Sequence, residues 1–335
     1  MKRFAIPMPT RYVINTLLIA AFLIVGTLIT GGGLVARALN QEIVNIGIFI
    51  ILAVSLNLVT GYLGQLPLGH AGFMAVGAYT AGIFWRAGFL PDSLSMVAGI
   101  LLAGLVAAIF GILIGIPALR LRGDYLAIIT LGFGEIIRVL ILNLSDLTNG
   151  AMGLPGIPRF SSFLVVYVCV VFACVVIHLL MKSRHGRAIL SIRENEIAAE
   201  SCGINTTYYK VMAFAVSAFF AGIAGALFAG NLGILTPGAF SFMQSIDILM
   251  IVVLGGLGSM VGSVIAATVL TSLPLLMQFL AQWRMVIYAL ILILFMIFRP
   301  AGVFGTYDFS LSRLLEKLIG RIRTGKAQKG GESRG

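Results

Sequence analysis

Few ionisable side chains interrupt the apolar segments of this sequence. In ITLGFGEIIRVLIL, Glu135 and Arg138 are three residues apart, so on a helix they share a face and can neutralise each other. That face is expected to look into a helix bundle, as a structural pair or as the lining of a pathway. His70, in GYLGQLPLGHAGFMAVGAYTAG, has no acid or second histidine at a relay spacing. Hydrogen bonding, or a contact in a pore or gate, is therefore favoured over proton transfer.

Two glycine-rich stretches also interrupt apolar segments, one around GYLG and the other at GGLGSMVG. Glycine and proline permit a broken or re-entrant backbone where the chain is buried in protein or faces a cavity. Two interrupted segments in corresponding positions of two halves indicate a transport pathway, and unrelated close packing is the alternative. The candidate residues of a path or gate are Gly61, Gly64, His70, Glu135, Arg138, Gly255, Gly256 and Gly258.

The sequence offers no means of catalysis or energy conversion. It has no G-x-x-x-x-G-K-[ST] phosphate loop, no metal-ligand cluster, no nucleophile beside a base and no run of intramembrane carboxylates. Cys169, Cys174 and Cys202 show no metal spacing, and no disulfide framework is expected. We predict a protein that is not an enzyme and binds neither metal nor cofactor, so that uphill transport would need another subunit.

The longest polar interruption between apolar segments is residues 182–210. The runs on either side, FLVVYVCVVFACVVIHLL and VMAFAVSAFFAGIAGALFAG, are each long enough to cross a hydrocarbon core of about 30 Å. Within the loop, Asn195 can cap a first turn and Gly203 stands where a left-handed helix stop is expected. A helix of about two turns, outside the membrane, is predicted from the helical spacing of Ile197, Ala198, Ala199 and Cys202.

The composition indicates an all-α polytopic membrane protein. Hydrophobic residues make up 59% of the chain and charged residues 10%, against roughly 25% charged in soluble domains. The net charge of +11 is interpreted through membrane topology, and nucleic acid is not expected as a partner. About ten spans, some of them interrupted, are predicted at residues 13–29, 43–59, 68–84, 94–116, 125–142, 163–180, 211–228, 246–254, 261–280 and 285–298.

The basic residues predict the orientation of these spans. With a cytoplasmic N-terminus, eighteen of the 23 lysines and arginines fall inside and four outside, which favours an even number of spans with both termini cytoplasmic. The start MKR imitates a secretory signal, but an apolar run of about 17 residues favours an uncleaved first helix. The predicted organisation is a cytoplasmic N-terminus (1–12), a transmembrane domain (13–298) containing the cytoplasmic loop 182–210, and a basic cytoplasmic tail (299–335).

The stretch GRAILSIRENEIAAESCGINTTYYKVMAFAVSAFFAGIAGAL resembles the coupling region of ABC-importer permeases for branched-chain amino acids, of the LivM type. Further blocks resemble the family's in its order: LNLVTGYLGQLPLGHAGFMAVGAYTAG, LRGDYLAIITLGFGEIIRVL, LTNGAMGLPGIP, DILMIVVLGGLGSMVGSVIAA and FRPAGVFG. The importer signature, Glu-Ala-Ala followed by three residues and Gly, is matched in part by Ala198, Ala199 and Gly203. Ile197 occupies the Glu position, and Glu196 precedes it.

The resemblance implies a transport complex in the bacterial inner membrane. Its other members would be a related but different permease chain, two cytosolic ABC ATPases that bind ATP-Mg, and a periplasmic protein that captures leucine, isoleucine or valine. The predicted short helix would present Ile197, Ala198 and Ala199 to a cleft of the ATPase. A urea or short-amide permease of the same superfamily, and an ion-driven carrier that needs no ATPase, are the alternatives. The residues assigned to ATPase coupling are Arg193, Glu194, Asn195, Glu196, Ile197, Ala198, Ala199 and Gly203.

Overall fold

The structure, a computed structural model, describes residues 37–276 except 89 and 122, and positions 26, 27, 290 and 293. Contacts divide the chain into one unit of residues 36–306 and another of residues 1–35 and 307–335. Almost all of the predicted first and last spans, and both termini, lie outside the described residues.

Nearly all regular structure in the described residues is helical. Helix α1 passes directly into a π-helical turn, Leu58–Tyr62. Two strands of two residues each, β1 (Leu154–Pro155) and β2 (Ile234–Leu235), pair antiparallel. The α-helices in chain order are α1 Arg37–Asn57, α2 His70–Ala87, α3 Asp92–Ala118, α4 Asp124–Asn143, α5 Ser145–Thr148, α6 Phe163–Lys182, α7 Arg184–Glu194, α8 Glu196–Ser201, α9 Thr206–Leu232, α10 Phe242–Gly255 and α11 Met260–Leu276.

Five helices of the described residues are long and apolar enough to cross a membrane: α1 with its π-turn, α3, α4, α6 and α9. They coincide with five of the predicted spans, and the all-α polytopic membrane fold is confirmed. The predicted span 68–84 forms α2, which has 18 residues but is not among the five. The predicted span 246–254 forms part of α10, an apolar helix of only 14 residues. The total of ten spans therefore stays a prediction.

The membrane helices differ in how much of their surface this chain covers. Within the most apolar window, 72% of residues are buried in α1 and 67% in α9, but only 22% in α4 and 17% in α6. Helices α1 and α9 are therefore central, while α4 and α6 are peripheral. The sequence of α6 is apolar on all sides, as expected of a helix whose outer faces contact lipid or another apolar partner.

The central helices pack closely through small residues. Gly77 of α2 lies against Gly222 of α9, so that a methyl group on Gly77 would overlap the backbone of α9. Such approaches are typical of membrane helices, which associate through van der Waals contact because lipid is as apolar as the side chains. Phe73 and Phe214 extend this contact edge to face, with ring centroids 5.4 Å apart.

The segment between α4 and α6 is ordered without a long helix. It contains α5, a 3-10 turn at Gly150–Met152 and strand β1. The side chain of Asn149 donates to the carbonyl of Gly153 at 3.0 Å, and the backbone N–H of Ile157 donates to the carbonyl of Gly233 at 3.2 Å. These bonds satisfy backbone N–H and C=O groups that have no partner within a helix.

Candidate coupling region and membrane path

The loop between α6 and α9 holds two helices. Helix α7 begins after Ser183, whose hydroxyl accepts from the backbone N–H of His185 at 3.1 Å. The chain then turns at Asn195, where φ is −159°, and the Asn195 side chain accepts from the N–H of Ala198 at 3.1 Å. The predicted cap at Asn195 is therefore present. Arg193 and Glu194 belong to the last turn of α7 and not to the short helix α8.

The short helix α8 ends as the glycine predicts. Gly203 has a left-handed backbone, with φ of +81°. Its N–H donates to Glu200 at 2.9 Å, and the N–H of Ile204 donates to Ala199 at 3.1 Å. These bonds satisfy carbonyls that would otherwise be free at the end of the helix. Both ends of α8 are thus fixed by their own residues.

The solvent-exposed face of α8 contains fewer of the predicted contact residues than the sequence analysis expects. The side chain of Ile197 is 66% exposed and Ala198 is exposed, but Ala199 is only 4% exposed and belongs to the apolar core. Successive helical residues point about 100° apart, so three in a row cannot share one face. The expectation that Ala199 is presented to a partner is therefore wrong: it anchors α8 to the rest of the chain.

The acid that begins α8 is bound within the chain. Glu196 Oε1 lies 2.6 Å from Nζ of Lys210, whose side chain is 4% exposed, so this pair ties α8 to the first turns of α9. Glu194 and Glu200 remain exposed. Sequence reasoning left open which acid meets a partner and missed the role of Lys210. Its position at the start of an apolar span was the available signal.

The two glycine-rich stretches meet, forming what we call the glycine junction, residues 57–64 and 255–263. Asn57 links them: its Oδ1 accepts from the N–H of Gly258 at 2.9 Å, and its Nδ2 donates to the carbonyl of Ser259 at 3.0 Å and to the hydroxyl of Ser263 at 2.9 Å. At Gly61 the backbones are so close that a Cβ atom would overlap Asn57 and the amide of Gly258. The predicted interruptions are confirmed, and they form a single contact.

Backbone geometry in the glycine junction is irregular on both sides. The π-turn ends at Tyr62, and Gly64 has φ of +77°. Helix α10 ends at Gly255, and Gly256 follows with φ of +106°. π-Helical turns within α-helices are frequent at functional sites. Sequence reasoning found the glycines but missed Asn57, a polar residue inside an apolar span.

The coupling region reaches the glycine junction through the side chain of Arg193. Arg193, at the end of α7, donates from Nη1 to the carbonyl of Gly61 at 2.7 Å. A Cβ atom on Gly64 would lie 3.2 Å from Cγ of Arg193, and one on Gly258 would lie 3.1 Å from Nη1. The arginine therefore lies beside both glycine-rich stretches. It connects the residues predicted for ATPase coupling with those predicted for a path or gate, which are far apart in the sequence.

His70 begins α2 in the interior of the chain. It is buried, and its Nε2 lies 3.0 Å from Oγ of Ser55 on α1. The hydroxyl of Ser55 donates in turn to the carbonyl of Leu52 at 2.9 Å. This arrangement matches the hydrogen-bonding interpretation of His70, and its participation in a path stays a prediction.

Glu135 and Arg138 pair as their spacing predicts, with Oε2 and Nε 2.7 Å apart. The other oxygen of Glu135 accepts from the backbone N–H of Phe242 at 3.1 Å. The side chains are 32% and 30% exposed, so the pair lies at the edge of this chain's helices rather than fully inside them. A charged pair in a span belongs against protein or water, so this edge is expected to be covered by a partner or a path.

Asp247 of α10 was not singled out from the sequence. It is half-buried in an apolar helix and has no hydrogen bond or ion pair with the other described residues. An unpaired acid in an apolar segment is costly and is therefore a candidate functional residue. The signal was one aspartate in SFMQSIDILMIVVLG.

Comparison with known proteins identifies relatives over most of the chain. Residues 38–298 match the family model described as "Branched-chain amino acid transport system / permease component". The high-affinity branched-chain amino acid transport system permease protein LivM of Salmonella typhimurium is 40% identical over 76% of this chain and 67% of its own length, and LivM of Escherichia coli gives the same values. The permease protein LivH of Salmonella typhimurium is 25% identical over 77% of this chain and 91% of its own length. No solved structure matches.

Proposed function

Since the chain belongs to the family of permease components of branched-chain amino acid transport systems, we propose that it is the membrane-spanning subunit of an ATP-driven importer of these amino acids. In this proposal a periplasmic binding protein delivers the solute at the bacterial inner membrane. Two cytosolic ATPases bind ATP-Mg and supply the energy. The chain itself binds no cofactor and catalyses no reaction.

The observation that carries this proposal is the construction of α8. Both ends of the helix are capped, Ala199 anchors one side, and the Glu196–Lys210 pair fixes its start to α9. A large apolar side chain, Ile197, is nevertheless 66% exposed on it. A short rigid helix with an apolar outer face can dock into a cleft and transmit force without losing energy to local unfolding.

A second permease chain, related but different, completes the proposed translocation unit. This chain is similar both to LivM and to LivH, which are named as permease proteins of high-affinity branched-chain amino acid transport systems. The half-exposed pair of Glu135 and Arg138 and the poorly covered faces of α4 and α6 supply surface for such a partner. The path or gate is proposed to involve the glycine junction, His70 and this pair.

Solute affinity resides in the binding protein in this proposal, so the permease needs only a passage that admits a small zwitterion. Binding of ATP would shift the permease between states that open to opposite sides. Selectivity among leucine, isoleucine and valine is then set before the solute reaches the membrane helices.

The experiment is purification of the tagged chain from its native membranes, followed by identification of its partners and reconstitution into liposomes. We expect ATPases and a second permease to co-purify. We also expect leucine uptake to require both ATP and the loaded binding protein, and to stop with vanadate. Uptake by the purified chain alone, driven by an ion gradient, would contradict the proposal, and urea or an amide in the binding protein would change the solute class.

A further inference from the structure

Arg193 makes a direct polar connection between the proposed coupling region and the glycine junction. It ends α7, immediately before the turn at Asn195 from which α8 begins. Its Nη1 donates to the carbonyl of Gly61 at 2.7 Å across 132 positions of sequence. The backbone of Gly61 is buried, while much of the arginine remains exposed. The side chain therefore spans from the surface loop to a buried break in a membrane helix.

The Gly61 carbonyl needs this donor because the helix ends one residue later. The next amides, those of Leu63 and Gln65, donate to earlier carbonyls of the turn, and water is scarce at a buried position. A charged guanidinium makes a stronger hydrogen bond than a neutral donor, and its length lets the donor come from outside the span. The bond to Arg193 thus satisfies a group that the helix break exposes.

The same contact extends to the second interrupted segment. Gly61 and Gly258 are in backbone contact, and Asn57 holds Gly258, Ser259 and Ser263 by three hydrogen bonds. A shift of the Gly61 carbonyl therefore displaces the start of α11 as well as the end of α1.

We propose that Arg193 is the positioning residue that transmits movement of the short helix α8 to the glycine junction, so that the two interrupted helices move together with α7. This inference rests on the proposed function, because it requires an ATPase to move α8. Arg193 then has no part in docking the ATPase, although it adjoins the docking helix. It links docking to the rearrangement of the spans.

The test uses the complete transporter in liposomes, with Arg193→Gln compared with Arg187→Gln. Arg187 is exposed on the same helix and serves as the matched control. For Arg193→Gln we expect normal co-purification of the ATPases and continued ATP hydrolysis, with leucine uptake per ATP reduced at least tenfold. Arg193→Lys keeps the positive charge and a donor nitrogen, so it should show an intermediate loss of uptake per ATP. It replaces the glutamine variant in the test if that variant does not fold.

Other outcomes separate this inference from the proposed function. Wild-type uptake per ATP by both Arg193 variants would overturn the inference and leave the proposed function intact. Loss of ATPase association would assign Arg193 to the docking surface and also overturn it. No ATP-dependent uptake by the wild-type complex would instead contradict the proposed function.

A distance measurement separates positioning from general destabilisation. Spin labels are attached at the exposed positions Leu66 and Arg187, on either side of the Arg193 contact, in a background without native cysteines. With Arg193 present, we expect the same label-to-label distance in the ATP-free and vanadate-trapped states, because both segments move together. In Arg193→Gln the distance should change between these states. An unchanged distance in that variant would overturn the inference.

Discussion

Charged groups in the membrane helices of this chain are stabilised locally where they have partners. Glu135 accepts one hydrogen bond from Arg138 and another from the backbone N–H of Phe242. Its carboxylate is therefore stabilised by a charged side chain and by the first turn of α10. Asp247, in the same helix as Phe242, has no such bond within the described residues. The charge of Glu135 is therefore explained by its partners in this chain, while the presence of Asp247 in an apolar helix is not.

Neutralising Glu135 should destabilise the protein. Glu135→Gln leaves Arg138 unpaired in a span at a cost of about 1–3 kcal/mol, because the pair is partly exposed rather than fully buried. We expect less folded protein in the membrane, measured by detergent extraction and size-exclusion chromatography. Adding Arg138→Gln should restore much of it, while Glu200→Gln, at an exposed position of α8, should have no effect. Normal folding of the single variant with loss of uptake would show that the pair serves the path instead.

Replacing Asp247 should affect transport more than folding. Asp247→Asn removes a charge that has no described partner and keeps the side-chain shape, so the thermal unfolding temperature should be unchanged or higher. We expect leucine uptake by the complete transporter to fall at least tenfold, since an acid in an apolar helix, with no partner among the described residues, is otherwise only destabilising. Unchanged uptake together with raised stability would show that Asp247 has no role in transport.

At the scale of elements, α7, α8 and the glycine junction form one connected unit. Helix α8 is anchored by Ala199 and by Lys210, and α7 reaches the junction through Arg193. The exposed face of α8 therefore belongs to a unit that also includes the breaks after the π-turn and after α10. The caps at both ends stabilise this helix of only six residues.

Adjacent alanines of α8 provide a sharp test of its orientation. Ala199→Glu introduces a charge into the core at a cost of about 2–4 kcal/mol, so the protein should unfold at a lower temperature and yield less folded material. Ala198→Glu, one residue earlier and exposed, should leave folding unchanged. Equal stability of the two variants would mean that Ala199 does not face the core and that α8 is rotated about its axis.

Local patterns in the sequence are sufficient to predict features that depend on interactions between residues close together in the chain. The cap at Asn195, the stop at Gly203 and the pair of Glu135 with Arg138 follow from spacings of three to eight residues. Contacts between distant parts were not predictable in this way: nothing local indicates that Arg193 lies on Gly61. The burial of Ala199 also depends on packing against the rest of the chain, which the sequence of a helix of fewer than two turns does not specify.

At the scale of the whole molecule, the predicted orientation rests on the distribution of basic residues. It requires the loop containing α7 and the tail 299–335 on the cytoplasmic side, and the segment containing Met152 outside. The five membrane-length helices of the described residues test neither this orientation nor the total number of spans, so both stay predictions.

Cysteine labelling tests that orientation. In a background lacking the native cysteines, Arg184→Cys and Gly325→Cys should react with an impermeant thiol reagent only from the cytoplasmic side. Met152→Cys, at a position that is 83% exposed, should react only from outside. Reaction of Arg184→Cys and Gly325→Cys from opposite sides would contradict an even number of spans, because the tail and the α7 loop would then lie across the membrane from each other.

The central claim is that an ATPase drives this chain through α8, and Ile197→Glu tests it most directly. The substitution places a charge on the exposed apolar face without touching the core, with Thr207→Glu, exposed at the start of α9, as the control. ATPase co-purification and ATP-dependent leucine uptake are measured on the same membranes. We predict normal folding, at least tenfold weaker ATPase association and no uptake for Ile197→Glu, and wild-type behaviour for Thr207→Glu. Wild-type association and uptake by Ile197→Glu would contradict the claim that α8 is the docking element.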